Sequence, residues 1–323
     1  MNPNFYKNQL IKLDKLLNKF SKIAITTHKA PDGDALGSSL ALKQYLESAG
    51  VTTRLYLQEH IDKNLKFLPG VEEYFFQDRD YFDFQALIIL DCNNFPRTGL
   101  SKSFLTQAQS NLIFIDHHDL SGKQAPENLF SIIDSNKAAT SEIINDFFNF
   151  NQIQITSSMA ICLLTGIYTD TGGFLHANTT SKIMQNAGDL MQKGATLSLI
   201  AKKTISNRQA HSLKIWGRAL ARARINQNKM AYTYVTEKDF KDCQASVDDL
   251  SGVGNVLGSS KESDYSLMLT QTKPDKIKGS LRTEAEKSFN VTKVARQFKG
   301  GGHPLASGFE IKGRISQQDG RVR

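Results

Sequence analysis

The sequence predicts an α/β protein: an N-terminal, mostly parallel sheet with helices on both faces, a basic linker helix, and a smaller C-terminal α/β domain. Three observations carry this expectation. Short runs of β-branched and apolar residues alternate with stretches of helical spacing. Each of these runs in the first half is followed at once by acidic or histidine residues. Between residues 198 and 225 the chain holds seven basic and no acidic side chains, which sets two unlike halves apart. A chain of 323 residues is long enough for two domains, each with its own core.

Taken in order, KIAITT at residues 22–27 reads as the first buried strand and residues 35–49 as the helix after it. ALIIL at 86–90 and NLIFI at 111–115 read as two further strands. Helices follow at 139–150 and 157–168, the latter with an apolar run through Ile161, Leu163, Leu164 and Ile167. Strands alternating with helices imply a parallel sheet covered on both faces, and such sheets bind ligands beyond the carboxyl ends of their strands. Residues 197–225, with Trp216 the single tryptophan, read as one long basic helix. Beyond it, 230–236, 265–272 and 276–282 look like strands, and 291–298 like a helix that stops at a glycine run. The expected domains are therefore 1–197, a linker at 198–225, and 226–323.

Composition narrows the class. Hydrophobic residues are 40% and charged residues 22%, close to the globular average, which argues against disorder and fibrous repeats. No window is long and apolar enough for a membrane span, and the N-terminus lacks the apolar core of a secretory signal, so a cytoplasmic protein without membrane attachment is expected. Cys92, Cys162 and Cys243 are far apart and form no C-x-x-C pair, so neither a disulfide framework nor a thiolate zinc site is indicated. The formal net charge is +8. Residues 1–197 carry 17 basic and 20 acidic groups, whereas 226–323 carry 16 and 12. The basic middle stretch is either a solvated helix face or a contact for a polyanion.

The polar clusters lie where the strands end. His28, Asp32 and Asp34 follow the first strand in a Pro31/Gly33 turn that lets all three point into one space. Asp91 follows the second, Asp116-His117-His118 the third, and Asp170 closes the apolar helix before Gly172 and Gly173. Any single Asp here is more simply a helix cap or turn former, but convergence changes the reading. Two carboxylates about 4 Å apart repel by roughly 4 kcal/mol at an effective dielectric of 20, so four in one crevice call for cations. Oxygen donors mixed with imidazole, without thiolate, suit manganese or magnesium. One carboxylate shared by two ions would set them about 3.5 to 4 Å apart, the geometry of two-metal phosphoryl chemistry.

HKAPDGDALGS, DCNNFPR, IDHH and YTDTGGF, in this order, resemble the four N-terminal motifs of the DHH phosphoesterase family, and the resemblance spans nearly the whole chain. It implies one Mn2+ on His28, Asp32 and Asp91 and a second on Asp34, Asp91, His117 and Asp170, with Mg2+ or Co2+ as substitutes. It implies further that Asp91 bridges the ions, that His118 faces the scissile phosphate or the leaving group, that Asp116 orients its neighbours, and that a water between the ions is the nucleophile. Arg97 either contacts a substrate phosphate or fixes its loop. Cys92 reads as a small packed side chain, and His60, His176 and His211 as surface or pocket-rim residues.

In the second half, Lys299 and Gly300-Gly301-Gly302-His303 lie downstream of Ser280-Leu281-Arg282. A glycine run is either a helix stop or a place where backbone N–H groups approach a phosphate, with Arg282 and His303 as charged donors. The combination is similar to the DHHA1 domain, which implies substrate binding by Arg282, Gly301, Gly302 and His303. Relatives often carry four glycines and a basic residue after the histidine, whereas Lys299 and Pro304 stand here. The whole arrangement resembles the bacterial nano-RNase and 3′,5′-bisphosphate nucleotidase subfamily. That implies hydrolysis of short RNA oligonucleotides, linear dinucleotides among them, and of adenosine 3′,5′-bisphosphate; self-association as a homodimer stays open. Two alternatives stand beside it: a cyclic- or linear-dinucleotide phosphodiesterase of the same family, and, from another class, an inactive nucleotide-binding sensor.

Overall fold

The three apolar runs of the first half form the centre of a six-stranded parallel sheet. The computed structural model describes residues 3–76, 83–92, 94–101, 103–104, 111–118, 129–204, 209–318 and 321–322. Residues 1–207 and 208–323 form two compact units. The first contains α1 (Pro3–Leu17), β1 (Lys22–Thr26), α2 (Gly33–Ser48), β2 (Thr52–Leu57), β3 (Tyr74–Phe76), β4 (Ala86–Leu90), α3 (Phe95–Thr98), β5 (Leu112–Asp116), β6 (Phe130–Ile133), α4 (Thr140–Phe150), α5 (Ser157–Asp170), α6 (Ser181–Gln192) and α7 (Leu197–Thr204).

Strand order is β3-β2-β1-β4-β5-β6, all neighbours parallel. Every strand in the centre is buried on both faces, which is why it reads as an unbroken apolar run. Ile23, Ile25, Ile88, Leu90, Ile113 and Ile115 face a core shared with α2, α4 and α5. Alternate residues Ala24, Leu87, Ile89 and Phe114 face a second core with Tyr56, Phe84 and Phe104. The chain leaves β1 towards β2 on one side and β4 lies on the other, so the order reverses between β1 and β4. In parallel sheets this switch point opens a crevice at the carboxyl edge. α2 approaches α5 closely at Gly37, where an added Cβ would overlap the carbonyl oxygen of Cys162.

The basic stretch departs from the expectation of one helix over 197–225. It contains α7 and, after Gln209 in extended backbone (φ −75°, ψ 158°), a new helix α8 (Ala210–Ala221); residues 205–208 lie outside the described residues. Helix also gives way before 225, because β7 (Arg224–Ile225) pairs antiparallel with β8 (Met230–Val235) around a turn closed by Lys229 N–H to Asn226 O at 3.0 Å. α9 (Glu237–Cys243) follows. It accounts for two of the basic groups. The Arg222 guanidinium donates to both oxygens of Asp239 (2.6 and 2.8 Å), and Arg218 donates to Asp239 (3.0 Å) and Asp242 (2.9 Å).

The second unit continues with α10 (Val253–Gly258), β9 (Tyr265–Lys273), β10 (Lys276–Arg282), α11 (Val291–Gln297), β11 (Gly301–His303) and β12 (Ala306–Lys312). Its sheet order is β11-β12-β10-β9-β8-β7. β8 and β9 run parallel and the other neighbours antiparallel. Among the described residues, no helix is long and apolar enough to cross a membrane.

Candidate metal centre

The carboxyl edge of the first sheet supplies the site. After β1, Asp32 caps α2: its Oδ1 accepts from the N–H groups of Asp34 and Ala35, both at 3.0 Å. Its Oδ2 is 3.8 Å from His28 Nε2. Asp32 is thus a helix cap with one oxygen and a free donor atom with the other. Asp34, fully buried in the first turn of α2, accepts from Thr140 N–H (2.6 Å, Oδ2) and Ser141 N–H (2.8 Å, Oδ1), the positive end of α4.

Asp91 follows β4 in the left-handed region (φ 52°), which Asp tolerates better than most residues. Its Oδ2 lies 3.4 Å from His28 Nε2. Its Oδ1 lies 3.6 Å from His117 Nε2 and 3.4 Å from His118 Nδ1, and accepts from the Thr140 hydroxyl at 3.1 Å. Asp116 closes β5, and its Oδ1 accepts from the His118 N–H (3.0 Å) and is 2.8 Å from His118 Nδ1. His117 Nε2 lies 3.1 Å from Asp170 Oδ2 and 4.0 Å from Asp34 Oδ2.

Three sets of potential ligand atoms each fall within 4.8 Å: His28, Asp32 and Asp91; Asp34, His117 and Asp170; and Asp91, Asp116, His117 and His118. The chemistry of the set fits divalent cations. His117 Nδ1 is 3.3 Å from the carbonyl of Lys137, which can only accept, so this nitrogen carries a proton and Nε2 is the one left to face the carboxylates. That buried Nε2 has no hydrogen-bond partner and faces three carboxylates. A cation between the imidazole and these carboxylates relieves their crowding: a proton on Nε2 in the metal-free chain, a metal ion in its place when one is bound. Hard oxygen and imidazole donors are present, and Cys92 takes no part, its thiol donating instead to the Asn94 carbonyl at 3.2 Å.

The charges are strained without ions. Burial, then the charges of Asp170 and Asp91, push the Asp34 carboxyl well above the usual carboxylate range. Burial opposes ionisation of Asp91 too, but hydrogen bonds from His118 and His28 and the charges of His117 and His118 outweigh it and hold that carboxyl low. His118 is pushed up to about 10 by its hydrogen bonds to Asp116 and Asp91. For His117, burial lowers the pKa, but contact with Asp170 and the charges of Asp34, Asp170 and Asp91 raise it to about 9.

Among the described residues, the other expected ones are in none of these three groups. Arg97 is exposed on α3, with its carbonyl accepting from Lys29 N–H at 2.8 Å, so its backbone ties the loop after β4 to the loop after β1. Its guanidinium makes no ion pair among the described residues. His176 Nδ1 is 3.3 Å from the Asp170 carbonyl. In the second unit, Arg282 of β10 and His303 of β11 both pair with Ala306 of β12 from opposite sides. Register therefore sets them in one cross-strand row with Cα atoms about 10 Å apart. The half-buried Arg282 guanidinium donates to the Leu281 carbonyl (2.8 Å), has no carboxylate partner among the described residues, and is lowered in pKa by burial. Gly302 takes φ +142°, and an added Cβ would overlap the backbone at Ala306.

The model of the DHH family N-terminal domain matches residues 22–167, and that of the DHHA1 domain matches residues 227–320. The chain carries a DHH family N-terminal domain and a DHHA1 domain. It is 27% identical over 311 residues to the bifunctional oligoribonuclease and PAP phosphatase NrnA of Thermus thermophilus, covering 96% of this chain and 90% of that one. It is also 27% identical to the probable bifunctional oligoribonuclease and PAP phosphatase NrnA of Streptococcus mutans over 296 residues, 90% of each chain. Among solved structures, an exopolyphosphatase-related protein from Bacteroides fragilis matches with a TM-score of 0.82 and 26% identity, over 95% of this chain and 92% of that one.

Sequence reasoning missed one part of the DHH domain's site. Thr140 and Ser141 hold Asp34 and Asp91, and Asn178 Nδ2 joins the carbonyls of Ala138 and Asp170 at 3.3 Å each. Most of these contacts use backbone groups, which every residue has, so side-chain chemistry does not mark them. The one available signal was position: the segment KAATS leaves a strand and opens an amphipathic helix.

Proposed function

We propose that the chain hydrolyses short RNA oligonucleotides to mononucleotides and removes the 3′-phosphate of adenosine 3′,5′-bisphosphate, with two Mn2+ as cofactors. The observation that carries this reading is the buried His117 Nε2 surrounded by Asp34, Asp91 and Asp170, next to the group of His28 and Asp32 that shares Asp91 with it. The NrnA-named relatives, matching over both domains, supply the substrate class.

In this reading His28, Asp32 and Asp91 hold one ion, and Asp34, Asp91, His117 and Asp170 the other. When bound, the pair supplies Lewis acidity and an acidified water for attack on phosphorus. The chain's own groups do the rest. The Thr140 and Ser141 amides keep both Asp34 oxygens oriented. Asp116 holds His118 Nδ1, which leaves Nε2 of that half-exposed imidazole to donate a proton to the phosphate or the leaving oxygen. Each unit offers its own donors for further substrate phosphates: Arg97 in the first, and Arg282, His303 and the Gly301-Gly302 backbone in the second.

The test is turnover of pApA and of adenosine 3′,5′-bisphosphate by purified protein with and without Mn2+, alongside Asp91→Ala. Hydrolysis that requires Mn2+ and falls at least about 10³-fold in Asp91→Ala is expected. No turnover by the unaltered protein under any divalent ion defeats the enzyme reading and leaves the sensor. Pyrophosphate consumed far faster than either nucleotide overturns the substrate class.

A further inference from the structure

Residues 137–141 reach three of the proposed metal ligands directly and a fourth through one side chain. The Lys137 carbonyl accepts from His117 Nδ1 at 3.3 Å and so sets the ring's tautomer. The Thr140 and Ser141 N–H groups take both oxygens of Asp34, and the Thr140 hydroxyl takes Asp91 Oδ1. Asn178 links the Ala138 carbonyl to that of Asp170.

Charges hold this segment in place. Lys137 Nζ donates to Glu142 Oε1 (3.1 Å) and Asp146 Oδ2 (2.5 Å). The other Glu142 oxygen accepts from Ala138 N–H at 2.8 Å, and the Tyr6 hydroxyl of α1 donates to Asp146 Oδ2 at 3.0 Å. The Glu142 side chain is 6% exposed and those of Lys137 and Asp146 are 18% exposed, so loss of one partner leaves a charge poorly solvated and the segment free to shift. The cluster also fastens α1 to α4, which is a stability role. What points beyond stability is that one residue, Lys137, carries both contacts: its ammonium is in the charge cluster and its carbonyl is the acceptor for His117.

We propose that Lys137 and Glu142 are positioning residues of the metal centre, and that their ion pair, by fixing residues 137–141, sets the affinity of the centre for divalent cations. The inference rests on the two-ion reading above. Partners of metal ligands in comparable arrangements are worth about 10- to 100-fold in metal affinity.

The experiment measures Mn2+ dissociation constants on the full-length, metal-stripped chain from the electron paramagnetic resonance signal of free Mn2+. The same preparations give Tm without metal. Glu142→Gln, equal in volume, and Lys137→Met are each expected to weaken binding about 10- to 100-fold, and Lys137→Arg, which keeps the cation, to recover affinity to within about threefold. A purely structural role lowers Tm and leaves the dissociation constant within about twofold, and that result overturns the inference. If Lys137→Met does not fold, Glu142→Gln decides by the same criterion. An unaltered chain that binds Mn2+ and hydrolyses pApA, beside variants that bind equally well, defeats this inference alone. An unaltered chain that binds no Mn2+ defeats the two-ion reading and this inference with it.

Discussion

Asp91 gathers His28, His117, His118 and the Thr140 hydroxyl around two oxygens, all within 3.6 Å, from a backbone angle few residues adopt. Around it, the metal-free chain keeps its balance with protons. His118 is raised to about 10, first by Asp116 and then by Asp91, so its contribution to stability is complete below about pH 6.5 and is lost as pH rises through about 10. Metal-stripped protein is therefore expected to lose Tm across that window. Asp116→Asn should flatten the loss and bring the His118 titration down by more than about one pH unit, read by NMR of the imidazole nitrogens. The charged members of the site were legible because Asp and His directly after apolar strands have few structural uses that occur together. Thr140, Ser141 and Asn178 were not, because their roles depend on main-chain direction and long-range folding.

At the scale of elements, α2 carries both Asp32 and Asp34, and its seat against α5 depends on the missing side chain at Gly37. Gly37→Ala is expected to cost about 1 to 3 kcal/mol through overlap with the Cys162 carbonyl, measured by urea unfolding. α9 offers a second test. Asp239, with a side chain 3% exposed, is stabilised as an anion despite its burial by Arg222, Thr236 and Arg218. Its carboxyl is held well below the usual range, so its contribution is complete above about pH 3.8 and is lost as pH falls towards the lower folded value. Asp239→Ala should cost about 3 kcal/mol at neutral pH, and less in acid. β1, β4, β5, α4 and α5 were readable because burial on both faces, or on one helical stripe, leaves a plain apolar pattern. β2 mixes Thr and Arg with its apolar residues, and β3 has three residues, too few for a period. α7 and α8 merged in the sequence because composition alone does not show where a helix is interrupted.

For the whole molecule, the proposed ion ligands belong to the first unit and the Arg282–His303 row to the second. Substitutions should separate accordingly. Arg282→Ala is expected to raise KM for adenosine 3′,5′-bisphosphate about 10- to 100-fold, the worth of one charge-assisted hydrogen bond, with the Mn2+ dissociation constant unchanged. The two-domain organisation was legible from length and from the change in charge along the chain. The fate of the basic stretch was not, since its carboxylate partners on α9 lie some 20 residues further on. Arg218 and Arg222, already matched by Asp239 and Asp242, have little charge left to displace the cations condensed on a nucleic acid. Added salt should therefore loosen a bound oligonucleotide without a share from these two: log affinity against log salt falls by about 0.7 for each phosphate that Arg97 and Arg282 neutralise, short of what all seven basic groups of residues 198–225 would displace if each met a phosphate.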